Sequence, residues 1–127
     1  MSKIKEINEL NFQHEVLESE VPVLVDFWAP WCSPCRMVEP SLERIETRFE
    51  GKARIFRVNT DNNPELMEQY GVRGLPTVML FVHGNPRHTA LGVRSRQEYQ
   101  QLLEDALASP PEGSEPSEQL PLAASAD

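Results

Sequence analysis

The chain has 127 residues and a formal net charge of −8, which is one domain's worth of length and offers no basic run for nucleic acid. Hydrophobic residues make up 39% of it, and no apolar stretch approaches the roughly 18 residues that a membrane span needs. The start, Met1-Ser-Lys-Ile-Lys-Glu-Ile-Asn, has neither the apolar core of a signal peptide nor an Arg/Ser-rich transit segment. The expectation is a soluble cytoplasmic protein, or a mature form whose targeting peptide was removed.

Half of the net charge lies at the C-terminal end. Residues 109–127 hold four prolines, four serines, three glutamates and one aspartate, with no Lys or Arg. Such a stretch has too little apolar surface to offset the entropy of ordering and reads as a disordered acidic tail. Residues 1–108 remain, enough for one domain with a two- or three-layer core.

In chain order, Leu10, Phe12, Val16 and Leu17 predict a short helix, after a possible edge strand around Ile4–Ile7. Val21-Pro-Val-Leu-Val-Asp-Phe-Trp28 is a β-branched and aromatic run with apolar residues on both alternating sets. That suits a central strand covered on both faces. Val38, Leu42, Ile45 and Phe49 then recur at helical spacing, with Gly51 as a stop and Pro40 inside the pattern, where a kink is expected. Ala53–Val58 reads as a second strand. Asn63-Pro64-Glu65 opens a short helix with a cap, a first-position proline and a first-turn acid, and Gly71 closes it.

Thr77–Val82 is a third strong strand. His83-Gly-Asn-Pro86 predicts a turn, and residues 87–93 an antiparallel partner. Ser95-Arg-Gln-Glu98 is a capping box that starts a last helix, with Tyr99, Leu102, Leu103, Ala106 and Leu107 on one face. The order predicts an α/β protein: a βαβ unit and a ββα unit sharing one mixed sheet, helices on both faces.

The two cysteines of the chain sit in Trp28-Ala-Pro-Trp-Cys-Ser-Pro-Cys-Arg36. They fall between the carboxyl end of the buried strand and the start of a helix, where open α/β sheets place their sites. As a structural disulfide the pair would close a tiny loop and give little stabilisation. As half of a zinc site it would need two more ligands. The candidates, His14, His83 and His88, lie on different elements without paired spacing and read as solvated surface side chains. The third reading is a reversible dithiol/disulfide pair. Only a thiolate attacks a disulfide. The free N–H groups and dipole of a helix N-terminus favour that anion at Cys32. Cys35 follows one turn later and deeper, and Pro34 limits the freedom of the loop.

Trp31-Cys-Ser-Pro-Cys35 resembles the thioredoxin active-site motif, with Ser33 where most of that family carry Gly. The resemblance runs over about residues 3–108 and includes Val25-Asp-Phe-Trp-Ala29, Asn59-Thr-Asp61, Tyr70-Gly-Val-Arg-Gly-Leu-Pro-Thr77 and Gly84. It implies the thioredoxin fold, a three-layer α/β/α arrangement, and reduction of disulfides in client proteins. In that likeness Cys32 is the attacking cysteine and Cys35 the resolving one. Pro76 matches a cis-proline facing the pair, Leu75 offers backbone hydrogen bonds to an extended substrate, and Trp31, Gly74 and Gly92 surround the substrate groove. Trp28 reads as packing beneath the motif. Trp31, Val72, Leu75 and Val93 form an apolar rim suited to docking extended segments.

Asp26 lies mid-run in the doubly covered strand, where desolvation should raise its pKa. The resemblance makes it the buried acid that takes the proton of Cys35. Arg57 stands where many relatives carry Lys, with a fork long enough to reach water. Ser33, Pro34 and Arg57 are thus tuning positions. The resemblance further implies no bound cofactor and no metal, since the Cys32–Cys35 sulfurs carry the electrons. The implied partners are disulfide-containing clients and a thioredoxin reductase, and the protein is read as a monomer. Two other readings stay open. One is an oxidase or isomerase on the same fold, for which Ser33 is the only hint. The other is a binding or chaperone subunit with incidental thiols, against which Cys32, Cys35, Asp26 and Pro76 all argue.

Overall fold

The computed structural model describes residues 3–108; the expected acidic tail lies outside them. Strands β1 (Lys5–Ile7), β2 (Val23–Trp28), β3 (Arg54–Asn59), β4 (Thr77–Val82) and β5 (Asn85–Leu91) form one sheet in the order β1-β3-β2-β4-β5. Strands β1, β3 and β2 are parallel, and β4 and β5 join antiparallel. Strand β2 is central and buried along almost its whole length, as its unbroken apolar run requires.

Helices cover both faces. On one face α1 (Ser33–Arg48) and α3 (Arg96–Ala108) pack through Val38, Leu42, Ile45, Phe49, Tyr99 and Leu103 onto Leu24, Ile55, Val78 and Leu80. On the other, α2 (Pro64–Gln69) and a π-helical turn (Gln13–Leu17) bring Leu66, Phe12 and Val16 onto Val25, Phe27, Val58 and Phe81. The result is the expected three-layer mixed-sheet fold. Ser95 and Glu98 exchange the two hydrogen bonds of the capping box at the start of α3.

Several local expectations change. The N-terminal helix is a single π-helical turn, and Leu10 stands 94% exposed ahead of it. Asn8 and Asn11 knot residues 8–11 into a turn through their side chains, which takes Leu10 off the apolar face. The β4–β5 connection is the two-residue turn His83–Gly84, so β5 begins at Asn85 and contains Pro86. Proline is tolerated there because β5 is an edge strand. Asn63 precedes α2 without capping it: its amide donates to the Asn59 carbonyl, and its oxygen accepts from the Glu9 N–H. Leu107, near the end of α3, is exposed rather than packed.

Candidate active site

Strand β2 ends at Trp28 and the chain turns through Ala29-Pro-Trp31 into α1. Cys32 is the N-cap residue of α1, in extended backbone geometry, with Pro34 in the first turn. Cys32 and Cys35 are joined as a disulfide across 5.4 Å between Cα atoms. The Cys35 N–H donates to Cys32 Sγ at 3.2 Å. The first turn of α1 therefore aims a backbone donor at this sulfur. Cys35 is fully buried and Cys32 slightly less so.

Three segments close around the pair. Leu75 and Trp28 pack against the cluster of Ala29, Cys32 and Cys35. The Leu75–Pro76 peptide bond is cis, and the Pro76 carbonyl accepts from the Gly92 N–H at 2.8 Å. At Gly74 a Cβ would come within 3.1 Å of Leu91 Cδ1, so a side chain there would crowd Leu91. Trp31 stands 69% exposed, its indole N–H donating to Asp61 Oδ1 at 3.1 Å. Asp61 is held in turn by its own N–H, which donates to the Asn59 side chain. The sequence assigned no role to Asp61.

The apolar rim differs from expectation at one residue. Trp31 and Val93 are exposed and Leu75 half-buried, but Val72 lies inside the core with Phe12, Leu66 and Phe81. Leu91, more than half exposed beside Gly74, stands on the rim instead.

Trp28, which packs against the pair, also borders a row of charges. Glu6, Arg57 and Asp26 are register partners across β1, β3 and β2. Asp26 is wholly buried, and neither carboxylate oxygen has a hydrogen-bond partner. Burial is the main cause that pushes its pKa up from 3.8 to about 7; Arg57 pulls it down, and Glu39 and Glu6 push it up. Arg57 departs from the expectation of a fork reaching water. It is 7% exposed, its guanidinium lies 3.8 Å over the Trp28 ring, and Nη2 donates to Glu39 Oε2 at 2.7 Å. The sheet and α1 enclose it, so its polar end meets a carboxylate instead of solvent. Glu6 accepts from the Trp28 indole at 3.1 Å, and its pKa is raised chiefly by burial. Glu39 and Glu6 carried no signal in the sequence beyond Glu39 falling one turn after Cys35. Among the described residues, no group of three or more His, Cys, Asp and Glu is placed to hold a metal ion, and no helix is long and apolar enough to cross a membrane.

The family model for thioredoxin matches residues 3–105. The chain belongs to the thioredoxin family. Thioredoxin 1 of Nostoc sp. is 46% identical over 107 residues, covering 84% of this chain and all of that protein. Thioredoxin of Rickettsia bellii is 47% identical over 90 residues, 71% of this chain and 86% of its own length. Thioredoxin of Porphyra purpurea is 38% identical over 100 residues, 79% of this chain and 94% of its own. The protein is accordingly a thiol–disulfide oxidoreductase, a protein-disulfide reductase working by dithiol–disulfide exchange through Cys32 and Cys35.

Proposed function

We propose that the reaction divides between the two cysteines as their positions suggest. In the reduced protein the Cys32 thiolate attacks one sulfur of a client disulfide. A mixed disulfide forms and the client's other sulfur leaves as a thiolate. Cys35 then loses its proton to Asp26, and its thiolate attacks the Cys32 sulfur. The second client thiolate departs and the Cys32–Cys35 disulfide closes. Two electrons have passed to the client, whose two thiolates take up two protons, one balanced by the proton that Asp26 gives back and one from water. The observation that carries this division is the Cys35 N–H donating to Cys32 Sγ at the start of α1. It marks Cys32 as the sulfur whose anion the helix end favours.

Trp31, Gly74, Leu75, Pro76 and Gly92 form the surface on which an extended client segment lies, with Leu91 at its margin. Ser33, Pro34 and Arg57 tune the pair. Electrons return from a thioredoxin reductase, the sulfurs themselves are the redox group, and the protein works as a monomer in the cytoplasm. Residues 1–108 are the working domain.

The test is a pair of variants. Cys32→Ser should abolish reduction of a protein disulfide, while Cys35→Ser should accumulate a mixed disulfide with the client, visible by mass. Wild-type turnover in Cys32→Ser would remove the assignment.

A further inference from the structure

One cation, Arg57, lies among three carboxylates, Glu39, Asp26 and Glu6, and serves them unequally. Arg57 Nη2 is 2.7 Å from Glu39 Oε2, whereas Arg57 Nε is 3.8 Å from Asp26 Oδ2, outside hydrogen-bond reach. Arg57 Nε and both Asp26 oxygens are buried and lack any hydrogen-bond partner. Nε and Nη2 form the edge of the guanidinium that grips a carboxylate side-on with two parallel bonds. Glu39 occupies half of that edge, and Asp26 faces the other half without closing on it.

We infer that Glu39 is a positioning residue for Asp26: by holding Arg57 Nη2 on its own carboxylate, it keeps Arg57 from forming a two-bond ion pair with Asp26. A closed pair would fix Asp26 as a carboxylate and take it out of proton exchange. The open arrangement leaves Asp26 free to gain and lose a proton near neutral pH. The significance for turnover rests on the reading that Asp26 takes the Cys35 proton; the effect on Asp26 itself does not.

Arg57 faces Asp26 from β3, Glu6 lies beyond Arg57 on β1, and Glu39 comes from α1. Tyr99 of α3 accepts from the Arg94 N–H and is pushed above its ordinary value, mainly by burial, so it stays neutral. The cysteines, joined as a disulfide, add no charge. Among these groups Arg57 lowers the proton affinity of Asp26, while Glu39 and Glu6 raise it. Replacing the Glu39 carboxylate by a neutral amide acts twice in one direction, since a like charge disappears and the charge-assisted hold on Nη2 weakens to that of a neutral acceptor. The Trp28 ring beneath the guanidinium keeps Arg57 in place when Glu39 is gone.

The experiment is a carboxyl-carbon NMR titration of Asp26 in the full-length oxidised protein. In Glu39→Gln, which keeps the side chain's size, the Asp26 midpoint should fall by about one pH unit or more. In an Arg57→Met background the same Glu39→Gln change should move it by less than half as much. A midpoint that stays or rises in Glu39→Gln overturns the inference. A full-sized fall without Arg57 also overturns it, because direct repulsion would then be the whole effect. Client reduction measured against pH separates this from the role of Asp26. If Asp26 is the proton acceptor, the rate limb moves down with the NMR midpoint. If the midpoint moves and the limb does not, the positioning stands and the acceptor role falls.

Discussion

Arg57 Nε stands 3.8 Å from Asp26 Oδ2, a charged pair in register across β3 and β2 that shares no hydrogen bond. The buried acid titrates at about 7 in the folded chain and at roughly 3.9 when unfolded. Between those values the native state holds a proton that the unfolded state releases. Stability therefore falls as pH rises through the window, by about 1.4 kcal/mol per pH unit, and the loss is complete above the folded value. Asp26→Ala removes the charge and leaves a small cavity. The variant should be more stable than wild type at pH 8, with the advantage shrinking toward pH 4, and it should reduce clients more slowly. Denaturant melts at both pH values check the first half and turnover the second. A variant less stable at pH 8 would make Asp26 a structural residue.

Gly84 and Gly51 have nearly the same backbone, φ +80° and +82°, but different surroundings. At Gly84 a Cβ would lie 2.6 Å from the Leu17 carbonyl oxygen, while at Gly51 it would meet nothing within 4 Å. Gly51→Ala should cost about 1 kcal/mol, the left-handed backbone alone. Gly84→Ala adds a clash with main chain and should cost about 3 kcal/mol or more. Equal losses in thermal melts would show that the Leu17 carbonyl yields freely.

Glu15 anchors the π-helical turn by accepting from Lys5 Nζ and Arg54 Nη2, each at 2.7 Å. The Lys5 bond is the main cause that holds its pKa below the ordinary value, against burial and with help from Arg54. A depressed carboxyl contributes stability above its unfolded pKa and loses it as pH falls through the folded one. Glu15→Gln should lower Tm by a few degrees at pH 7, and the difference should close in acid as the carboxyl takes up its proton. A gap that persists in acid would assign the loss to packing.

The sheet, helices α1 to α3 and the disulfide are built from the described residues, 3–108. A chain ending at Ala108 should keep the wild-type client-reduction rate and a Tm within about 2 °C. A larger drop would mean that residues 109–127 contribute to the folded domain.

How much of this could be read in advance varied with the physics behind each part. Strand β4 matches its expected bounds because a doubly covered strand writes itself as an unbroken apolar run. The disulfide and the placement of Cys32 at a helix start followed from two cysteines beside a run of that kind. The start of β5 was misplaced by two residues because proline usually marks a turn, and only the edge position excuses it inside a strand. Arg57 was misread as reaching water because nothing local to it names Glu39, 18 residues away, as its partner. Local chemistry was legible; pairings made by the stacking of α1 on the sheet were not.

The two borders of the sheet carry a final consequence. Strand β1 exposes only three residues of border. Strand β5 carries Pro86, which has no N–H to offer, and its register with β4 slips by one between Leu80 and Phe81. Neither margin presents a long, regular row of free amide donors and acceptors on which another chain could template itself. A protein that reduces disulfides in client proteins thus offers them no long backbone edge to pair with. Its turnover of partly unfolded chains can then proceed without seeding the strand-on-strand growth that leads to fibres.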